Sequence, residues 1–311
     1  MIDVVIRAVT PLVLLMVLGY LSKHLNLLKK QDSKTLSSYV YYFALPALFL
    51  INIAETRFTK ETIEFIAAAI TPLLLITAAY ILLSQLKAIK KQNIHLMILS
   101  TVFGSAAFFG IPFITFTYPT PQGEKLVVLA AAAISAVGVS ITITVLELAK
   151  TKEPNLNKSL SKVGNKFSRN PLILSIIAGL ILSLSGIKTP DYLSTTPHML
   201  GKTTSTIAIF MLGLVLYGRS YSSIKQAGLL SLLRILLLPA IAYIIYAHLF
   251  SLPSMEKQVL ILMHAMPVAI SLMVLSERYR FEQETISTLL LISSTTTIIY
   301  LPLWLIILGS G

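Results

Sequence analysis

The segment FGSAAFFGIPF (103–113) is apolar along its length, yet it contains two glycines and a proline, the residues that weaken a helix most. It lies within a longer apolar stretch that runs from about 93 to 118. A second stretch, LMHAMPVAISL (262–272), carries Pro267 near the middle of another apolar segment. Both patterns predict apolar helices that are interrupted near their centres.

The composition is that of an integral membrane protein. Of the 311 residues 55% are hydrophobic and only 12% are charged, whereas soluble domains carry about 25% charged residues. The mean hydropathy is +0.81. The net charge of +12 comes from basic residues placed between apolar stretches, where they act as topology signals, so we predict a lipid bilayer and no nucleic acid as partner. The chain contains no cysteine, which excludes disulfides and thiolate metal sites.

The apolar stretches predict an all-α integral membrane protein with ten transmembrane helices. A spanning helix needs about 20 apolar residues. Ten segments meet this requirement: 4–22, 35–54, 63–84, 93–118, 125–148, 171–187, 199–217, 226–250, 258–276 and 286–309. One longer polar and basic stretch, residues 151–170, divides the chain near its middle and is predicted to be a linker.

The distribution of lysine and arginine predicts the orientation in the cell membrane, whether plasma or inner membrane. Seven basic residues fall on the side that holds the N-terminus, seventeen fall on the other side, and Arg234 lies inside a span. Because basic residues favour the cytoplasmic side, we expect both termini outside and the basic linker 151–170 in the cytoplasm.

An internal repeat relates the two halves of the chain. PLVLLMVLGYL (11–21) aligns with PLILSIIAGLI (171–181) at an offset of 160, which superposes Pro11 on Pro171 and Gly19 on Gly179. The copies lie in predicted helices 1 and 6, so the chain crosses the membrane five times between the start of one copy and the start of the other, and the second copy must enter the membrane from the opposite face. Residues 1–150 and 171–311 are therefore predicted to be two inverted five-helix repeats, an architecture common among secondary transporters.

The interruptions fall at corresponding depths of the two repeats. Gly104 and Pro267 lie 163 residues apart and mark the middles of predicted helices 4 and 9. If the two broken helices cross, the N-termini of their second halves point inward, where backbone N–H groups favour an anion. The alternative is a simple kink at Pro267 and close helix packing at Gly104.

The sequence resembles the auxin efflux carrier family, whose PIN-like fold is related to that of sodium-coupled bile acid symporters. The resemblance covers nearly the whole chain and is clearest in FGSAAFFGIPF, RNPLILSIIAGLILSLSGI (169–187), IAIFMLGLVLYG (207–218) and AMPVAISLMVLSERY (265–279). It implies broken helices 4 and 9 that cross at the midplane. It also implies a scaffold of helices 1, 2, 6 and 7, a mobile transport domain of helices 3–5 and 8–10, and a homodimer formed through the scaffold.

The chain departs from the family pattern at the implied site. The usual fourth-helix pattern is F-G-N-T-G-F-x-G-x-P, and this chain has Ser105 and Ala106 in place of the asparagine and threonine. Where the ninth helix of the family often has asparagine, this chain has Ser271. The substrate-binding candidates are Gly104, Ser105, Ala106, Pro267, Val268 and Ser271.

Other polar residues lie inside predicted spans, where ionisable groups are costly and often functional. Arg234 is a candidate counter-charge for a substrate carboxylate; the alternatives are snorkelling to the surface or pairing with Glu147. His264 is a candidate for carrying a coupled proton, or it donates to a carbonyl that the break frees. The hydroxyl run SSTTT (293–297) is predicted to bond to carbonyls of its own helix, and the alternative is that it coordinates a cation.

The sequence predicts a secondary active transporter and no enzyme. It contains no HExxH, GxSxG or phosphate-loop motif, so no catalytic residue, metal site or cofactor is predicted. The expected substrate is a small organic anion, carried past the helix 4/9 crossover by an elevator movement. Two alternatives remain at this stage: a sodium-coupled organic anion symporter of the bile-acid-carrier type, and a non-transporting receptor or scaffold.

Overall fold

The computed structural model describes residues 2–88, 91–150, 168–186, 190–218, 221 and 223–309. These residues form helices and the loops between them, without a β-strand; one isolated antiparallel bridge joins Gly104 and Val268. The all-helical prediction is confirmed for this part of the chain. Most of the predicted linker, residues 151–167, lies outside the described residues.

Fifteen α-helices and three π-helical segments are found among the described residues. The α-helices are α1 Ile2–His24, α2 Lys30–Tyr39, α3 Leu45–Ala54, α4 Lys60–Gln85, α5 Lys91–Val102, α6 Ile111–Thr117, α7 Pro121–Lys150, α8 Pro171–Leu184, α9 Asp191–Leu216, α10 Ile224–Leu232, α11 Leu238–His248, α12 Ser254–Ala265, α13 Ile270–Tyr279, α14 Gln283–Thr295 and α15 Thr297–Ile307. The π-helical segments are Val40–Ala44, Ala106–Gly110 and Leu233–Leu237.

Five helical stretches of the described chain are long and apolar enough to span a membrane: Gln31–Ala54, Lys60–Gln85, Pro121–Ala149, Tyr192–Leu216 and Ile224–His248. A sixth is obtained if α14 and α15, bent by 52° at their junction, count as one span. Other predicted spans coincide with shorter apolar helices, Asn93–Val102, Ala106–Thr117 and Pro171–Leu184. Five to six candidate spans are therefore found by length and composition, and the ten-span assignment stays a prediction.

Each π-helical segment ends two residues before a proline, namely Pro46, Pro112 or Pro239. Proline has no N–H and its ring clashes with the carbonyl of residue i−4, so the preceding turn cannot keep the α-helical bond pattern. A widened π turn accommodates this clash, and such turns are frequent at functional sites. The segment Leu233–Leu237, which carries Arg234, joins α10 to α11 in this way.

A tryptophan satisfies one carbonyl that proline frees. The residue four before Pro239 is Ile235, and its carbonyl accepts a 2.9 Å bond from Nε1 of the buried Trp304 on α15. We expect Trp304→Phe to lower the free energy of unfolding by about 1–3 kcal/mol, because a buried acceptor loses its donor. Denaturant unfolding in detergent measures this loss. In a Pro239→Ala background the new N–H can reach Ile235, so the loss should shrink; equal losses in both backgrounds would contradict the account.

Glycines allow the backbones of two helix pairs to touch. A Cβ on Gly19 of α1 would overlap the carbonyl of Phe210 on α9, and a Cβ on Gly213 of α9 would overlap the carbonyl of Met16 on α1. On the second pair, a Cβ on Gly179 of α8 would lie 2.8 Å from the carbonyl of Leu50 on α3. Small residues that permit such close approach are typical of helix interfaces in membranes.

The outer surface of the helices is apolar, and the interior holds the interrupted helices. Seven consecutive residues of α12, 259–265, are all buried, so this part of the helix is enclosed on every side. Large apolar side chains are exposed instead on the outer faces, as expected for a protein that contacts lipid rather than water. Examples are Leu14, Leu18, Ile181, Leu229, Ile244 and Ile307.

Candidate functional site

Two helices stop in the interior and resume after a short non-helical break. Helix α5 ends at Val102 and helical structure resumes at Ala106; helix α12 ends at Ala265 and α13 begins at Ile270. The breaks contain Gly104 and Pro267, the residues from which the sequence predicts interruptions. Each break leaves C-terminal carbonyls on the first half-helix and N-terminal N–H groups on the second without partners in their own helix.

The two breaks hydrogen-bond to each other. The N–H of Ser105 donates to the carbonyl of Pro267 over 2.7 Å, and the N–H of Ala269 donates to the carbonyl of Phe103 over 2.9 Å. Gly104 and Val268 face each other between these two bonds. Backbone groups freed by one break are therefore satisfied by the other, which meets the requirement that buried backbone groups be paired.

Ser293 of α14 contributes a further bond that the sequence did not predict. Its Oγ accepts from the N–H of Val268 over 3.2 Å and donates to the carbonyl of Leu290. The hydroxyls of Thr295, Thr296 and Thr297 bond to carbonyls of their own helical stretch, as predicted, whereas the buried Oγ of Ser294 has no partner among the described residues. Nothing in the sequence distinguishes Ser293 within the run, because its partner comes from another helix.

Arg234 lies at the two breaks and is fully buried. Its Nε donates to the carbonyl of Met266 over 2.8 Å, and its Nη1 donates to the carbonyl of Thr101 over 2.7 Å. Longer contacts of 3.5 Å reach the carbonyls of Val102 and Met263. One guanidinium thus bonds to the C-terminal ends of both α5 and α12.

Gly104 makes room for this guanidinium. A Cβ built on Gly104 would overlap Nη2 and Cζ of Arg234, so only glycine lets the arginine lie against the backbone of the break. The structure shows neither of the two alternatives for Arg234, a surface position or a pair with Glu147. The side chain does not snorkel to the surface, and Glu147 accepts a bond from the hydroxyl of Tyr279 rather than pairing with Arg234.

His264, one turn before Pro267, is also buried. Its Nε2 lies 3.0 Å from the hydroxyl of Tyr246, and that hydroxyl donates to the carbonyl of Ala68 over 3.0 Å. Because the tyrosine proton is used on Ala68, Nε2 must carry the proton that joins it to Tyr246. The imidazole therefore donates from Nε2, and through Tyr246 it connects α12, α11 and α4 in this conformation.

Tyr246→Phe should destabilise the protein by about 1–3 kcal/mol, because it leaves both Nε2 of His264 and the carbonyl of Ala68 buried without their partner. Thermal unfolding of the purified protein measures this loss. Tyr243→Phe is the matched control, since Tyr243 lies on the same helix but is 49% exposed, and its change should be close to zero. Equal effects of the two substitutions would count against the bonded arrangement.

The structure brings most of the candidate residues together. Ser105, Ala106, Pro267 and Val268 are buried, and Gly104 is partly exposed. The Oγ of Ser105 is buried and has no hydrogen-bond partner among the described residues. Ser271, in the first turn of α13, is partly exposed. The site is thus closed around the paired breaks, and among the candidate residues the buried Oγ of Ser105 and Nδ1 of His264 have no hydrogen-bond partner in the described part of the chain.

Comparison with known proteins gives the same family as the motifs. The family model described as "Membrane transport protein" matches residues 4–305. An uncharacterized transporter of Methanocaldococcus jannaschii is 24% identical over 299 residues, which cover 94% of each chain. The uncharacterized transporter YfdV of Escherichia coli is 23% identical over 305 residues, 95% of each chain.

A longer animal protein shares the same region. The lysosomal cholesterol signaling protein of Mus musculus is 24% identical over 310 residues, which cover 93% of this chain and 36% of that protein. The match of the family model extends over nearly the whole chain and includes both interrupted helices. The chain therefore belongs to the membrane transport protein family, that of the auxin efflux carriers.

Proposed function

We propose that this chain is a secondary active transporter that moves a small organic anion past the paired breaks by elevator-type alternating access. Membership of a transporter family gives the general activity. The observation that carries the finer proposal is the pair of reciprocal backbone bonds between the breaks at Gly104 and Val268. Paired discontinuous helices at the repeat interface are the usual substrate site of secondary transporters.

Contacts related by a constant sequence shift support two inverted repeats. Gly19 packs against the carbonyl of Phe210. Gly179 lies 160 residues after Gly19, and it packs against the carbonyl of Leu50, which lies 160 residues before Phe210. A two-fold relation between two halves produces this exchange of partners, because a contact from i to j implies the equivalent contact from j to i.

The two breaks meet at Gly104 and Val268, which lie 164 residues apart. Every antiparallel bridge has two reciprocal bonds, so this offset, and not the pair of bonds, is what bears on the repeat. The sequence comparison proposed a shift of 163 between the interruptions and 160 between the first helices of the repeats. Agreement at two separate places supports repeats at 1–150 and 171–311, with predicted helices 4 and 9 crossing at the breaks.

The chemistry of the breaks favours an anion. The second half-helices begin at the π segment from Ala106 and at α13, and their N-terminal N–H groups carry partial positive charge. Ser105, between these ends, offers an Oγ without a partner among the described residues. Arg234 adds a full positive charge whose hydrogen bonds in this part of the chain go to carbonyls. A carboxylate would complement this field.

We also propose a domain arrangement and an orientation in the membrane. Contacts of α1 with α9 and of α3 with α8 join predicted helices 1, 7, 2 and 6, which are proposed to form the scaffold and the homodimer surface. The remaining helices are proposed to form the moving domain. Both termini are proposed to lie on the outer side of the membrane, and residues 151–170 are proposed to lie in the cytoplasm.

Ligand stabilisation of purified protein tests the site. Across a panel of small mono- and dicarboxylates, we expect at least one to raise the unfolding temperature of the parent. Ser105→Ala and Ser271→Ala should weaken its binding by roughly tenfold, about the loss of one hydrogen bond to a charged group. Ser100→Ala is the matched control, because this buried hydroxyl bonds to the carbonyl of Met97 in its own helix. If all variants are stabilised like the parent, the site is wrong.

Flux in proteoliposomes tests the activity. The same carboxylate should cross the bilayer faster with the protein than with empty vesicles, and the rate should saturate with concentration. Binding without flux under any imposed gradient would contradict transport and favour a receptor or scaffold.

A further inference from the structure

The C-terminal ends of α5 and α12 form a cluster of backbone carbonyls in the interior. The carbonyls of Thr101, Val102, Met263 and Met266 all face one point, where the guanidinium of Arg234 lies. Each belongs to the last residues of a half-helix or to its cap, so it has partial negative charge and lacks an α-helical partner. In ion-coupled transporters, half-helix C-terminal ends and unwound carbonyls of this kind coordinate the coupling cation.

The guanidinium occupies this carbonyl cluster because three features of the chain hold it there. The π turn Leu233–Leu237 places Arg234 on the side of α10 and α11 that faces the breaks. Gly104 lacks the Cβ that would overlap the guanidinium. In the other break, the residue that pairs with Gly104 is Val268, whose branched side chain is buried. Only the break at Gly104 therefore has the space for the guanidinium.

We propose that Arg234 is a tethered cation that takes the place of a dissociable coupling ion. Its positive charge neutralises the carbonyl ends of both half-helices throughout the cycle, so the carrier binds and moves its substrate without Na⁺ or another alkali cation. The part of this inference that concerns flux depends on the proposed transport function. The part that concerns the carbonyl cluster does not, because it can be measured as stability without any substrate.

The experiment compares unfolding temperatures of purified parent and Arg234→Ala in choline, sodium, lithium and guanidinium chloride at equal ionic strength and non-denaturing concentration. The parent should unfold at the same temperature in all four salts. Arg234→Ala should lose roughly 5 °C or more in choline, because the carbonyls of Thr101 and Met266 lose their donor. Sodium, lithium or guanidinium should restore part of that loss in a saturable way, since each can enter the carbonyl cluster. Arg234→Lys, which keeps one charge, should lose less.

Lys23→Ala is the matched control for a basic side chain that caps a helix end. Lys23 Nζ donates to the carbonyls of Leu214 and Tyr217 at the end of α9, but it is only partly buried. Water can replace it there, so its loss should be the same in all four salts.

Two results would overturn the proposal. One is an unfolding temperature of Arg234→Ala that is equally low in every salt. The other is a higher unfolding temperature of the parent in sodium than in choline. This measurement does not depend on the folding of any variant. Transport by the parent in sodium-free choline medium tests the part of the proposal that concerns flux. If flux is absent in all media while guanidinium rescues Arg234→Ala, the transport proposal fails and the tethered cation stands.

Discussion

Gly104→Ala is expected to abolish transport and to destabilise the protein, although it adds one methyl group. The new Cβ would overlap the guanidinium of Arg234, which is buried and bonded to carbonyls of two half-helices. Overpacking alone costs about 1–3 kcal/mol, and a displaced arginine also leaves those carbonyls unpaired. Flux in proteoliposomes and thermal unfolding in detergent measure the two effects.

Gly138→Ala is the matched control for this substitution. Gly138 lies on α7 beside the same break, but a Cβ there would meet Phe103 and Val102 at 3.6 Å, an ordinary contact. We therefore expect Gly138→Ala to keep nearly full transport. Equal activity of the two variants would show that the guanidinium does not need the space at Gly104.

The second large effect is expected at the helix pair α1 and α9. In Gly19→Ala the Cβ would overlap the carbonyl of Phe210, and in Gly213→Ala it would overlap the carbonyl of Met16. Backbone atoms cannot rotate away as a side chain can, so the two helices must separate along their length. We expect each substitution to lower stability by several times the effect of an ordinary surface change, which is within about 0.5 kcal/mol.

Gly228→Ala provides the control, because this helical glycine has no heavy atom within 4 Å of the added Cβ. It should leave stability unchanged or raise it by up to about 1 kcal/mol, the difference in helix propensity. The loss of stability in Gly179→Ala should lie between the large losses at Gly19 and Gly213 and the absence of loss at Gly228, since the atom closest to its added Cβ, the carbonyl oxygen of Leu50, lies at 2.8 Å. Unfolding temperatures that do not follow this order would contradict the backbone contacts.

The positions of the breaks were predictable from the sequence because glycine and proline act locally. Pro267 cannot donate a helical hydrogen bond, and Gly104 weakens its helix wherever it lies. The apolar composition likewise predicted an all-helical membrane protein. The number of spans was harder to predict, because several of the helices are short or interrupted. By themselves they do not reach the length of a membrane-spanning helix.

The bonds that build the site could not be predicted from local pattern. Arg234 meets carbonyls that lie 133 and 32 residues away in the chain, so a counter-charge, a surface position and a pair with Glu147 all fitted the sequence. Ser293 was equally hidden, since its partner Val268 is 25 residues away. Only the packing of α5, α12 and the π turn decides among these alternatives.

Formation of a disulfide across the paired breaks tests the central claim most directly, and the natural absence of cysteine makes the experiment clean. Residues 105 and 267 lie opposite each other in the antiparallel pair, where Cα atoms are about 5.5 Å apart, within disulfide range. We predict that Ser105→Cys/Pro267→Cys, oxidised in native membranes, yields the linked peptide by mass spectrometry. The control Ser105→Cys/Ser276→Cys, with its second cysteine more than one helical turn into α13, should stay reduced. Free thiols in both variants would contradict two interrupted helices that meet at Gly104 and Val268.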